Sequence, residues 1–272
     1  MAIKSTSYRL IVGMLAFTGM LLSPLASGNE IRVGGTGNAL GTMRLLADAY
    51  TRKYPGTKVT VLSSLGSSGA FKAVSKGAID IGLATRPVTE NELAAGTVTA
   101  EYARSLTVFT VAKANKVSAV TRQQLTDIFT GKLNEWPGGM PIRPILRQAG
   151  DDNTRQVRSL SPEISKALDV AEQRAGVARA VTDQEAADKL ESIPGAIGIS
   201  TLALIKSEAR ALKPLALDGV EPTSANGASG TYPLIKHFYF VTQQTRSAAV
   251  KNFIDFVSSQ EGRGILTQTG HW

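Results

Sequence analysis

Four segments of the chain carry residue types suited to holding a small anion. The first, Gly34-Gly35-Thr36-Gly37-Asn38-Ala39-Leu40-Gly41-Thr42, is a glycine-rich turn between an apolar run at Ile31 and a helical period that carries Leu45. Such a turn lets backbone N–H groups converge at a helix N-terminus, where about half a positive charge resides. Gly66-Ser67-Ser68-Gly69 repeats the arrangement before a short helix containing Phe71 and Val74, although a serine there also serves as a plain helix cap. Arg86 stands near the end of the third segment, Asp80-Ile81-Gly82-Leu83-Ala84-Thr85-Arg86-Pro87. The fourth, Arg147-Gln148-Ala149-Gly150-Asp151-Asp152-Asn153-Thr154, sets an arginine at a strand end ahead of a helix expected to start near Arg155. Arginine forms charge-assisted, often bidentate bonds to an oxyanion. The Gly-x-Gly-x-x-x-Gly spacing of the first segment also resembles a dinucleotide fingerprint, but the second strand ends Leu62-Ser63-Ser64-Leu65 without the acid that would hold a ribose.

These segments act together only if folding brings them to one place. Ile31 to Val33, Val59 to Leu62, Ile79 to Leu83, Leu106 to Val111, Ile142 to Leu146, Ala196 to Ile199 and Phe238 to Val241 are apolar enough for buried strands. Between them, Leu45, Leu46, Ala49 and Tyr50 share one helical face, as do Leu125, Ile128 and Phe129, and Val250, Phe253, Ile254 and Val257 follow the i, i+3, i+4, i+7 pattern. Strand alternating with helix predicts an α/β fold with a largely parallel sheet. In such a sheet the loops after the strands gather at one edge, so two helix N-termini point into one crevice. Asp218 to Gly230, rich in Gly, Ser, Asn and Pro, is expected to be a surface loop, and Ser229-Gly230-Thr231 within it a turn.

Composition narrows the chemistry. At 272 residues, 43% hydrophobic and 19% charged, the chain can bury a full core. The lack of cysteine excludes disulfides, thiolate metal sites and thiol nucleophiles, and two histidines leave little for zinc or a catalytic triad. His237 and His271 lie far apart in sequence, and neither a Gly-x-Ser-x-Gly elbow nor a Walker loop is present. No catalytic residue, metal ligand or cofactor is assigned. Aromatic residues make up 6% and fall in core-like patterns rather than beside basic runs, so nucleic acid is not expected as a partner. Lys4 and Arg9 precede the uncharged run Leu10 to Leu22 and the small residues around Ser23-Pro24-Leu25-Ala26-Ser27-Gly28, the plan of a cleaved export signal over residues 1–28. That run is shorter than the roughly 20 residues a bilayer span needs. Without those two cations the formal charge of +8 falls to +6, which suits an anionic partner or a solvated surface alike. A soluble periplasmic protein is expected.

Several motifs in this order and spacing resemble the periplasmic phosphate-binding protein family, the solute receptors of phosphate ABC transporters. They are Gly66-Ser67-Ser68-Gly69 with Ile79-Asp80-Ile81-Gly82 a short helix later, and Leu125-Thr126-Asp127-Ile128-Phe129-Thr130-Gly131-Lys132 leading to Trp136. Ile193-Pro194-Gly195-Ala196-Ile197-Gly198 follows, then Tyr232-Pro233-Leu234 ahead of the last strand. The resemblance covers most of the chain after the signal. It implies a two-lobed, type II-like α/β fold, each lobe a mainly parallel sheet flanked by helices, with two hinge crossings and a ligand clamped between the lobes. With crossings near Val111 and His237, the first lobe would take residues 29–110 and 238–272 and the second 111–237. It also implies a monomer that works with a membrane permease.

Carried over by position, the resemblance puts anion contacts at Gly37, Asn38 and Ala39, at Ser67 and Ser68, at Thr85 and Arg86, and at Arg147, Asp152, Asn153 and Thr154. The chain departs from the family at two points. An acidic residue usually stands where this chain has Thr85, accepting the proton of monohydrogen phosphate and so rejecting sulfate. The loop after the arginine usually reads Ser-Gly-Thr, whereas Asp152-Asn153-Thr154 stands here, with one residue more between Arg147 and the threonine. A carboxylate against a dianion repels unless a proton lies between them. Asp151 or Asp152 therefore either takes over as acceptor, or caps the helix or faces a cationic part of another ligand, with Asp152 the expected N-cap. Three functions stay open: an oxyanion receptor for a transporter, with phosphate first; a sensing or scavenging module of the same fold; and an exported enzyme on a phosphorylated substrate, with only Asp151 and Asp152 as candidate groups.

Overall fold

The computed structural model describes residues 29–148 and 150–272, so the export signal expected at 1–28 lies outside the described residues. The chain first builds β1 (Asn29–Gly35), α1 (Gly37–Lys53), β2 (Thr57–Val61), α2 (Gly66–Ser75), β3 (Ile81–Ala84), α3 (Glu90–Ala94) and β4 (Thr97–Ala112). A second set follows: β5 (Ala119–Val120), α4 (Arg122–Thr130), β6 (Arg143–Arg147), α5 (Asp152–Arg158), α6 (Pro162–Gln173), β7 (Ala178–Ala180), α7 (Asp183–Ser192), β8 (Ala196–Thr201), α8 (Leu202–Ser207), β9 (Leu212–Pro214), β10 (Ala216–Leu217) and α9 (Ser224–Ala228). The chain returns through β11 (Ile235–Gln243) and closes with α10 (Ala248–Ser258) and α11 (Gln260–Gln268). No described helix is long and apolar enough to cross a membrane.

Each half holds a parallel trio, β2-β1-β3 in the first and β8-β6-β7 in the second. Two strands that carry the chain between the halves run antiparallel to their neighbours, so the sheet is mixed where the alternation of elements predicts a largely parallel one. β11 pairs with β3 and with the first part of β4, from Thr97 to Leu106. From Thr107 onward β4 pairs with β8 and β9 instead. This division follows side-chain chemistry. Thr97 to Arg104 mixes buried, half-buried and exposed positions, as an antiparallel strand that meets solvent does, while Ser105 to Val111 is buried throughout. The two halves accordingly have separate cores, one around Phe109, Ile145, Leu168 and Leu190, the other around Leu40, Leu46, Phe240 and Phe253.

The expected loop at Asp218 to Gly230 contains α9 and Val220, which bridges to Leu217. Thr223 caps that helix by accepting from the Asn226 N–H at 3.1 Å, and Gly227 lies against the indole of Trp272, where a side chain would have no room. Small polar residues there serve close packing. The helix after Arg147 also starts earlier than expected: Asp151 is the N-cap, accepting from Asn153 N–H at 2.9 Å, and Asp152 is the first helical residue. That correction frees the Asp152 carboxylate for another partner.

Candidate functional site

The strand ends of both halves face a cavity of about 700 Å³. The first half contributes Thr36 and Asn38 at the start of α1, Ser67 and Ser68 at the start of α2, and Thr85 and Arg86 just past β3. From the second half come Arg147 at the end of β6, Asp151 to Asn153 at the start of α5, and Thr182 and Asp183 at the start of α7. Strand register places them: Gly35 lies opposite Leu83 and Arg147 opposite Ala180, so the turns that follow leave the sheet side by side.

Helix capping separates this edge from the rest of the molecule. Among the described helices, α3 to α11 are each capped by an N-cap Thr, Ser or Asp side chain that accepts from a first-turn N–H. The N-caps of α1 and α2, Thr36 and Leu65, supply no such bond. The first N–H groups of a helix need acceptors, and an anion is a favourable one. Both uncapped helices open on the cavity.

Arg147 forms the floor. It is 5% exposed, and Nη2 lies 2.9 Å from Asp151 Oδ2 and 3.4 Å from Asp183 Oδ1. Nε and Nη1 find no acceptor among the described residues, so the guanidinium has more hydrogen-bonding capacity than the two carboxylates use. Asp152 turns to the other side, where Oδ2 accepts from the fully buried Lys236 Nζ at 2.5 Å and Oδ1 from Arg155 at 3.2 Å. Burial raises the Asp152 pKa, but Lys236, Arg155 and the Thr85 hydroxyl outweigh it and hold the carboxyl below its ordinary range.

Other expected contacts are placed differently. Gly37 and Ala39 do not line the cavity: Ala39 is buried, and Gly37 is covered by Asp183 and Gln184. Thr154 faces the opposite side of Arg147, beside Phe129 and Leu168. Ser67 accepts from Thr85 N–H at 3.1 Å and meets the Thr85 hydroxyl at 3.3 Å, which ties α2 to β3. Arg86 reaches the cavity wall with its charge already engaged. Its Nη1 and Nη2 donate to both Glu92 oxygens at 2.8 and 2.7 Å, and its guanidinium sits 4.5 Å from the Phe71 ring centroid.

The Arg86 hydrogen bonds hold the Glu92 pKa down at about 2. A carboxylate depressed from roughly 4.3 stabilises the fold above that value and loses its contribution as pH falls through its folded pKa. Arg86→Ala should therefore lower the melting temperature at pH 7, with the difference from the parent shrinking below pH 4 and vanishing near pH 2. A difference unchanged between pH 7 and pH 3 would mean that the stack on Phe71, not the ion pair, is what the arginine supplies.

Asp183 is the site residue that the sequence hides. Val181-Thr182-Asp183-Gln184-Glu185 has the form of an ordinary capped helix start, and Thr182 does accept from Glu185 N–H at 3.1 Å. Asp183 nevertheless crosses to the first half and accepts from Asn38 N–H at 3.1 Å, while Asn153 Nδ2 donates to its other oxygen at 3.0 Å. Burial pushes its pKa up and Asp151 adds to that, against the lowering pull of Arg147, Lys236 and the Asn153 hydrogen bond.

Two α/β halves joined through β4 and β11, with an arginine-floored cavity between their strand ends, define a two-lobed binding-protein fold. The chain belongs to the PBP superfamily: residues 23–261 match the family described as PBP superfamily domain. Among curated proteins it is similar to the phosphate-binding protein PstS of Borreliella burgdorferi, 24% identical over 273 residues that cover 96% of each chain. The PstS of Bacillus subtilis is also 24% identical, over 90% of this chain and 81% of that protein. Among solved structures, a Clostridium perfringens putative phosphate ABC transporter substrate-binding protein with bound phosphate superposes with a TM-score of 0.75 at 23% identity, covering 89% of this chain and 98% of that one.

Proposed function

We propose that the chain is an exported solute receptor that captures a small oxyanion, phosphate first, between its lobes and delivers it to the membrane permease of an ABC transporter. The observation that carries this reading is the pairing of two helix N-termini left uncapped by their own side chains with a buried arginine across the cavity. Backbone N–H groups and a guanidinium together suit a tetrahedral anion. The names of the full-length relatives, phosphate-binding proteins, support the same ligand. Asn38, Ser67, Ser68, Thr85, Arg147 and Asn153 are the contacts proposed from the expected set, with Asp152 held in place by Lys236.

The lobes would divide where β4 changes partners. Residues 29–106 and 235–272 form the first and 107–234 the second, which puts the crossings at Leu106 and Ile235 rather than near Val111 and His237. Binding without chemistry is the reading the site supports. Neither histidine lines the cavity, and Asp151 and Asp152 are both engaged by cations. The protein would act in the periplasm as a monomer, with no nucleic-acid partner.

Titration calorimetry of the anion-stripped protein with phosphate at pH 6 and pH 8, and with sulfate beside it, tests the ligand. Saturable phosphate binding is expected. A flat phosphate trace at both pH values would retire phosphate and leave the fold.

A further inference from the structure

We propose that Asp183 is a tethered occupant of the anion site: its carboxylate takes donors that an oxyanion would use, and so holds the affinity of the cleft down. The inference rests on the phosphate reading above and deepens it by naming what regulates that site. Asn38, Arg147 and Asn153, proposed above as ligand contacts, all turn to this one side chain. Asp183 Oδ2 accepts from the Asn38 N–H at 3.1 Å, while Oδ1 accepts from Asn153 Nδ2 at 3.0 Å and lies 3.4 Å from Arg147 Nη2. A backbone N–H at a helix N-terminus, a side-chain amide and a guanidinium are the donors a tetrahedral anion takes. Here they serve a carboxylate that belongs to the protein and is 8% exposed.

The tie crosses between the halves. Asp183 opens α7 in the second and reaches α1 in the first, where Thr36 supplies no cap of its own. Gly37 makes the approach possible: a Cβ there would lie 2.8 Å from Asp183 Oδ2 and 2.9 Å from Asp183 Cβ. Two neighbouring bonds hold α1 in place, from Gln184 Nε2 to Gly37 O at 2.9 Å and from the Thr201 hydroxyl to Asn38 Oδ1 at 3.1 Å. The other carboxylates that line the cavity are committed elsewhere. Asp151 shares Arg147 but caps its own helix, and Asp152 pairs with Lys236 and Arg155. An arriving oxyanion either turns Asp183 out of these bonds or binds beside its charge. Both cost affinity, because like charges brought together in a buried setting repel strongly.

The test is calorimetric titration of the parent, Asp183→Asn, Gly37→Ala and Asp188→Asn with inorganic phosphate at pH 7, with melting curves beside them. Asparagine keeps the shape and one accepting oxygen but carries no charge, so Asp183→Asn should bind phosphate about tenfold more tightly than the parent, or better. A variant that merely loosened the lobes would lose affinity, which makes a gain diagnostic. Gly37→Ala, whose added methyl displaces the carboxylate, should gain in the same direction and carries the test alone if Asp183→Asn does not fold. Asp188→Asn removes an exposed charge from the same helix outside the cavity and should stay within about twofold of the parent, since solvent screens it. Unchanged or weaker phosphate binding in the folded test variant, or an equal gain in Asp188→Asn, overturns the assignment and leaves the phosphate reading standing. No phosphate binding by the parent or any variant overturns both.

Discussion

Asp152→Ala is expected to destabilise the protein by about 3–5 kcal/mol, while Lys236→Met costs less than half of that. The asymmetry follows from where each partner sits. Lys236 lies on β11 at the chain crossing with its side chain 0% exposed, and its ammonium is 2.5 Å from Asp152 Oδ2. Removing the acid leaves a buried ammonium without its carboxylate. Removing the lysine leaves a carboxylate that is 24% exposed, borders the cavity and keeps Arg155, while methionine refills the space of the stem. The same helix is fixed to both crossings by Gln156, which donates to Ile235 O at 2.7 Å and accepts from the Thr107 hydroxyl at 2.5 Å. α5 therefore carries Asp151, Asp152 and Asn153 to the cavity on a mount tied to β4 and β11. Urea denaturation of the two variants measures the comparison. Equal losses, each under about 1 kcal/mol, would mean that the pair behaves like a surface salt bridge and does not hold α5 to the crossing.

The strands that bear the site were legible because apolar residues dominate each of them. Ile31 to Val33, Ile79 to Leu83 and Ile142 to Leu146 each carry a single charged residue, Arg32, Asp80 and Arg143, among buried apolar ones, and the turns that follow β1, β3 and β6 do meet at one edge. The first part of β4 was not legible as a strand. Ala100-Glu101-Tyr102-Ala103-Arg104 mixes charge with small residues because one face meets solvent and the Glu101–Arg104 ion pair lies there. The change of pairing partner after Leu106 has no local signature either. Arg147 was visible as a cation closing an apolar strand. Arg86 has the same form, and only the fold shows Glu92, six residues on, consuming its charge. Asp183 stayed hidden for the opposite reason: its local sequence is fully explained by helix capping, and its role comes from Asn38, 145 residues away.

Arg147→Ala should weaken phosphate binding by about 100-fold or more, close to 3 kcal/mol, the range seen when one partner of a buried charge-assisted contact is removed. From the sequence this residue looks like a cleft charge that could be deleted without harm to the fold. Its 5% exposure and its contacts with Asp151 and Asp183 say otherwise. Asp183 is already disfavoured as an anion by burial and by Asp151, and Arg147 is its largest offset, with Lys236 and Asn153 behind it. The sign of the pH dependence follows. A carboxyl whose folded pKa lies above its unfolded value, roughly 3.9, penalises the fold in full above the folded pKa, and the penalty fades as pH drops towards the unfolded value. Deleting the arginine enlarges that penalty, so the stability deficit of Arg147→Ala should be greatest at pH 7 to 8 and shrink towards pH 4. Arg147→Lys separates the two effects: it keeps a cation beside Asp183 and should restore most of the stability, yet it lacks the planar fork and should recover only part of the affinity. Calorimetry and melting curves across that pH range read both quantities. Parent-like phosphate affinity in folded Arg147→Ala would remove the arginine from the site, and a deficit that grows on acidification would mean that Asp183 is not the group left without its partner.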